Sequence, residues 1–377
     1  MKLGSRKIIA VLLIGTAIYG GNLSATVINN KVMTATEKEK QINIINNTIY
    51  NTTKLKITSN SKLSEYIARN LLQHNTTIKL SGYAESTNTD KVFDAVHEAI
   101  NQNPLCFSVE NMVYYPSKKL LNITYRESNK TEFKKKQQQT IREVKKVILN
   151  IIKPGMTDLE KVVAINNYLC DTADYDDAAV TNMQKYNNKK YDLKYVDSFT
   201  PYGVLINKIG VCSSYAGAFK LLADEAGLES VVVTGTTVNN ENHAWNKVKV
   251  NGNWVVVDVT NNDKEDLSNT ILNISDKSAS NFLKPNKEFV IDSKIINYAA
   301  GTDANEYYRS IGAYFTKDAI ANEFINRFPS QDSVSLRTDY SITQSEVEKI
   351  VDDVLKESKY YGEVTYCSWN GVITIKK

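Results

Sequence analysis

A thiol, an imidazole and a carboxylate can together make a nucleophile, and three short segments of this chain carry them at Cys212, His243 and Asp258. Cys212 opens the run Gly210-Val211-Cys212-Ser213-Ser214-Tyr215, after which Ala218, Phe219, Leu222 and Ala226 continue a three- and four-residue apolar spacing. That spacing predicts an amphipathic helix, and Gly227 ends it. The cysteine falls in the first turn on the inward stripe, where unpaired backbone N–H groups and the helix dipole favour a thiolate.

His243 and Asp258 lie on what reads as one hairpin, His243 to Val250 and Asn253 to Thr260, joined by Asn251-Gly252. Pairing Val250 with Asn253 sets Val248 against Val255, Trp245 against Asp258 and His243 against Thr260. His243, Trp245, Trp254, Val256 and Asp258 then share one face, and Ala244, Val248, Val250, Val255, Val257 and Val259 the other. Asp258 becomes the diagonal neighbour of His243, about 7–8 Å away between Cβ atoms, which one hydrogen bond can span. The chemistry expected is attack by Cys212 on an amide carbonyl, proton transfer by His243, and orientation of the ring by Asp258. The Cys212 backbone N–H is one oxyanion donor and Tyr202 a candidate second, while Trp245 and Trp254 are candidate pocket walls. Singly, each residue reads as structure: a packed thiol, a strand histidine, a turn-capping acid and core aromatics.

These segments need a frame to hold them, and the rest of the chain supplies one in outline. Lys2, Arg6 and Lys7 precede an apolar stretch from Ile8 to Ile18 and small residues to Ala25, the layout of a secretory signal over 1–25. Residues 26–61, rich in Asn, Thr and Lys without a sustained period, read as a flexible lead-in. From 62 to 130 a small α+β unit is expected: a helix over 63–73, an extended segment over 76–81, a helix over 90–101 and two strands around Pro116-Ser117. Residues 305–377 repeat that order, ending in a hairpin over Asn370-Gly371, and suggest a duplicate. The chemistry-bearing segments lie between, within 140–295.

With 377 residues the chain can bury a real core, and a net charge of +4 does not mark a nucleic-acid binder. The run Lys134-Lys135-Lys136 reads as a solvated helix face. His74 and His97 lack spaced partners, so no metal site is expected, and no cofactor. Four cysteines, one of them a working thiol, do not suggest a disulfide framework.

The runs Gly210-Val211-Cys212 with Tyr215-Ala216, His243-Ala244-Trp245-Asn246, and Trp254 with Asp258-Val259-Thr260 resemble the transglutaminase-like superfamily, in its secreted bacterial branch. Pro201 to Leu205 resembles the segment before the family cysteine, and Met156 to Lys161 with Tyr168-Leu169 the opening helix of the domain. The resemblance implies a papain-like α+β fold, a Cys-His-Asp triad without metal, and acyl transfer from amides to water or amines. Ser214, where many members carry Gly, and Asn261, where Trp often follows, are departures. The function expected is a secreted or cell-surface thiol enzyme hydrolysing peptide or isopeptide bonds of a protein or cell-wall peptide, with membrane contact only through the signal. A cross-linking transglutaminase and a silent binding module are the alternatives.

Overall fold

The first of the described elements is a helix, α1 (Ala35–Asn47), in the segment whose composition reads as a flexible lead-in. Thr34 and Glu37 cap it reciprocally, and none of its residues is buried, so no apolar stripe announced it. The structure, a computed structural model, describes residues 33–186, 190–264, 266–286 and 303–377; the expected secretory segment lies outside them.

Next come α2 (Lys62–Leu72), β1 (Thr77–Lys79), α3 (Thr89–Gln102), β2 (Val109–Tyr115) and β3 (Leu120–Tyr125), with β3 in the middle of an antiparallel sheet. The sequence suggested a unit apart. Instead its apolar side chains, Ile67, Val96 and Leu121 among them, join Phe219, Leu222, Val248 and Val255 in one core. α4 (Lys130–Ile151) is part of that core through Phe133 and Val144. Its basic run is only partly solvated: Lys134 Nζ donates to Leu72 O at 2.9 Å and Lys136 Nζ to Asp197 at 2.7 Å, leaving Lys135 outward.

The central segment continues through α5 (Asp158–Thr172), β4 (Asp174–Tyr175), α6 (Asp177–Lys185), β5 (Ile209–Gly210) and α7 (Cys212–Glu225). Then come β6 (Ser230–Thr237), β7 (Asn242–Val250), β8 (Asn253–Val257), α8 (Val259–Asn262), β9 (Leu272–Ile274), α9 (Asp276–Ala279) and β10 (Leu283–Pro285). The strands form an antiparallel sheet in the order β10-β6-β7-β8-β9. Buried along most of its length, α7 packs its Phe219 and Leu222 with Val248, Val250, Val255 and Val257, while Trp245 and Val256 pack on the opposite face. Burying each such side chain fully stabilises the fold by roughly 1.5–3 kcal/mol.

The β7–β8 hairpin has the expected register, Val250 opposite Asn253 and Val248 opposite Val255. Asn251 and Gly252 take φ of 50° and 82°, the left-handed values a two-residue loop of this type needs. The register does not run on to Thr260, however. β8 stops at Val257, because the Asp258 side chain accepts the backbone N–H of Asn261 and caps α8, putting Thr260 in a helical turn rather than opposite His243.

Residues 303–377 form a second apolar core around Phe324, Phe328, Leu336, Val354 and Ile373. The helices Lys317–Arg327 and Gln344–Ser358 cover β11 (Ser333–Arg337), β12 (Thr365–Trp369) and β13 (Val372–Lys376), with β13 in the middle. Element order, antiparallel pairing and strand order match those of the α2–β3 unit. Even the join after the first strand matches: Leu80 N–H bonds to Lys119 O and Thr338 N–H to Gly371 O, both at 2.8 Å.

Candidate active site

Cys212 is the first residue of α7 and is held from two sides. On one side β4 pairs with β5, setting Tyr175 beside Gly210, and Asp176 N–H bonds to Gly210 O at 3.0 Å. On the other, Val211 N–H reaches Ser198 O at 2.9 Å and Ser213 Oγ reaches Phe199 O at 3.2 Å. Ser214, one of the departures, is fully buried and serves this loop: its hydroxyl donates to Thr200 O and accepts Val204 N–H at 3.1 Å. Gly210 must lack a side chain, since a Cβ there would lie 2.6 Å from Ser214 Oγ.

The imidazole of His243 stands between the other two groups. Its Nε2 is 2.7 Å from Asp258 Oδ2, and a hydrogen bond joins the ring to the Cys212 side chain. An ionised carboxylate can only accept, so Nε2 carries the proton and Nδ1 is the nitrogen left for the thiol. Burial is the largest single influence on this ring and disfavours its charge. The Asp258 carboxylate, helped by Cys212, more than reverses that and holds the imidazole well above its ordinary value of 6.5.

Asp258 is completely buried. Its Oδ1 accepts Asn261 N–H at 3.2 Å, and its Oδ2 accepts both His243 and the Asn261 side-chain amide, at 2.6 Å for the latter. Asn261 Nδ2 and His243 Nε2 are 3.4 Å apart, two donors sharing one acceptor. Asn261, the second departure, is thus part of the site.

Of the other expected residues, Trp245 is buried among Val231, Val233 and Val256, with its ring centroid 6.0 Å from that of His243. Trp254 pairs with Lys249 at the hairpin end of β8, about 13 Å along the strand from Asp258. Tyr202 is turned to α4, where its hydroxyl donates to Gln139 Oε1 at 3.2 Å. Tyr175, which sequence reasoning missed, is the tyrosine that lies against Cys212. Its half-exposed phenol meets the Cys212 backbone N–H in a hydrogen bond, and burial followed by the Cys212 charge holds its proton on far above the ordinary range. A two-residue strand leaves no periodic signal, so nothing in the sequence linked Tyr175 to the thiol.

All four cysteines are free, and among the described residues no three His, Cys, Asp or Glu side chains gather as a metal site would need.

Residues 145–259 match the family model of the transglutaminase-like superfamily, and in that segment the helix bearing the cysteine packs on the antiparallel sheet bearing the histidine, with the acid one residue past the end of β8. The kyphoscoliosis peptidases of Homo sapiens and Mus musculus are 29% and 28% identical over 125 residues. That match covers 30% of this chain and 17% of each relative's length. Among solved structures, a TGase aligns with a TM-score of 0.29 at 17% identity, over 37% of this chain and 40% of the other. A Cytophaga hutchinsonii protein described as a candidate cysteine protease aligns with a TM-score of 0.27 at 15% identity, over 41% and 45%.

Proposed function

We propose that the protein is a thiol enzyme that transfers acyl groups from amide bonds through Cys212, His243 and Asp258, with water as the usual acceptor. The observation that carries this reading is the His243 ring, bonded through Nε2 to a buried carboxylate and interacting on the other hand with a thiol at a helix start. Cys212 Sγ attacks the carbonyl carbon of a peptide or isopeptide bond as the thiolate. The imidazolium gives its Nδ1 proton to the leaving amine, leaving a thioester. Water, deprotonated by the same nitrogen, then releases the acid and restores the thiol. The Cys212 backbone N–H supports the oxyanion; the Tyr175 hydroxyl, which accepts that N–H in the free enzyme, gives way to the substrate oxygen and donates to it as a second donor. The peptidase names of the human and mouse relatives agree with hydrolysis.

The layout of residues 1–25 supports export, with cell-surface protein or wall peptide as substrate; amino-terminal sequencing of the protein from the culture medium tests it. For the chemistry, the chain and its Cys212→Ala variant are incubated with a mixed protein substrate, with and without a labelled primary amine. Cys212-dependent fragments support the hydrolase, and Cys212-dependent amine incorporation replaces it with the cross-linking transferase. If both are absent, and Cys212 is alkylated at pH 6–7 no faster than an ordinary exposed thiol, the enzyme reading fails.

A further inference from the structure

Asp258 is held not only by its own segment but by the unit that follows it. The chain between α8 and β9 leaves the central sheet and is gripped by residues 303–377. Lys264 lies 4.1 Å over the Trp369 ring, and Lys376 pairs with Asp266. Leu267 packs against the second core, and Tyr308 Oη donates to Ser268 O at 2.7 Å. Thr270 O takes two donors, Arg337 Nη2 at 2.6 Å and Asn370 Nδ2 at 3.1 Å. Arg337 is itself fully buried against Glu306 at 2.6 Å.

The decisive element is one peptide group. The carbonyl of Thr270 and the N–H of Ile271 are opposite edges of a single plane that does not bend. Arg337 and Asn370 hold its carbonyl edge; its N–H edge donates to Asn262 Oδ1 at 2.6 Å. Ile271 O in turn accepts Asp258 N–H at 3.0 Å and Asn262 Nδ2 at 3.1 Å. Asn262 and Asp258 are the last residue and the cap of α8, so one rigid plane separates the guanidinium from the turn that carries the acid.

We propose that residues 303–377 brace the triad, with Arg337, Asn370 and Tyr308 as positioning residues that fix Asp258 against His243 through the Thr270–Ile271 peptide. The unit is therefore part of the active centre without touching substrate. Its effect on rate rests on the triad reading; its effect on the imidazole does not.

The test uses the full chain with Asn370→Gly and Tyr308→Phe, singly and together. Glycine accepts the φ of 54° at position 370, so the turn survives while the amide is lost. Tyr308→Phe removes one hydroxyl. Arg337→Ala is avoided because it would strand the buried Glu306 carboxylate and threaten the fold itself. The chain has three histidines, so His243 can be followed by proton–carbon NMR titration. In the double variant the His243 midpoint is expected to fall toward the ordinary histidine value, and alkylation of Cys212 by iodoacetamide at neutral pH to slow by roughly two- to thirtyfold, as for changes acting through a contact network. Each single variant keeps the other contacts and guards against loss of folding. Titration and alkylation curves that superimpose on those of the unsubstituted chain overturn the brace. An unreactive thiol in the unsubstituted chain sinks the proposed chemistry instead and leaves the titration to judge the brace.

Discussion

Asn261 and His243 donate to the same oxygen, Asp258 Oδ2, at 2.6 Å and 2.7 Å. The amide therefore shares the negative charge that orients the ring and stops the carboxylate from rotating. Asn261→Ala is expected to lower kcat/KM on the order of tenfold, the worth of a hydrogen bond to a charged group. Steady-state kinetics of the folded variant checks this; an unchanged kcat/KM would make Asn261 a bystander.

The acid itself should matter far more. Asp258→Asn can keep the cap on α8 yet present an amide to the ring, removing the group that fixes its tautomer and charge. Loss of kcat by about 10⁴ is the scale for a triad acid. A loss under tenfold would mean the ring is oriented by other means.

Tyr175 and Tyr202 make an opposed pair. Tyr175→Phe withdraws the hydroxyl that meets the Cys212 N–H and should cut kcat by about 10²–10³ with little change in KM, as for one oxyanion donor. Tyr202→Phe loses only a bond to Gln139 and should leave kcat alone. The reverse ranking would return the oxyanion role to Tyr202.

Stability should carry the mark of His243. Its folded-state value lies above 6.5, so protonated His243 contributes stability that is fully present below 6.5 and is lost as pH rises through the higher folded value. The difference in Tm between the unsubstituted chain and His243→Gln should narrow over that rise. A pH-independent difference would show that the ring gains nothing from Asp258.

Ser214→Ala leaves the Val204 N–H buried without an acceptor and should destabilise the fold by about 1–3 kcal/mol. Denaturant titration measures it, and a neutral result would mean the loop repairs the loss.

The α7 helix and the β7–β8 hairpin were legible because each carries its own periodic apolar pattern and a glycine-bearing stop or turn. Those patterns gave the two faces of the sheet and, with them, the approach of His243 to Asp258. Where chain direction depended on a single side chain, the pattern misled: Asp258 caps a helix and so ends β8, which alternation alone could not reveal. α1 escaped because a helix with no buried residue leaves no stripe. Tyr175 and the Thr270 peptide escaped because their partners are distant in sequence and joined by backbone bonds, which no side-chain pattern encodes. The shared core of the α2–β3 unit was hidden for a related reason, since buried positions look alike whichever neighbour covers them.

The central strand of the 303–377 sheet is β13, the last of the described strands to leave the ribosome. Until Val372–Lys376 emerge, β11 and β12 have no strand between them, and the hairpin turn that brings Asn370 to Thr270 cannot close. On the bracing role proposed above, the thiol, imidazole and carboxylate of a nascent chain would meet before they are fully braced, and full reactivity would come only once the β12–β13 hairpin has closed.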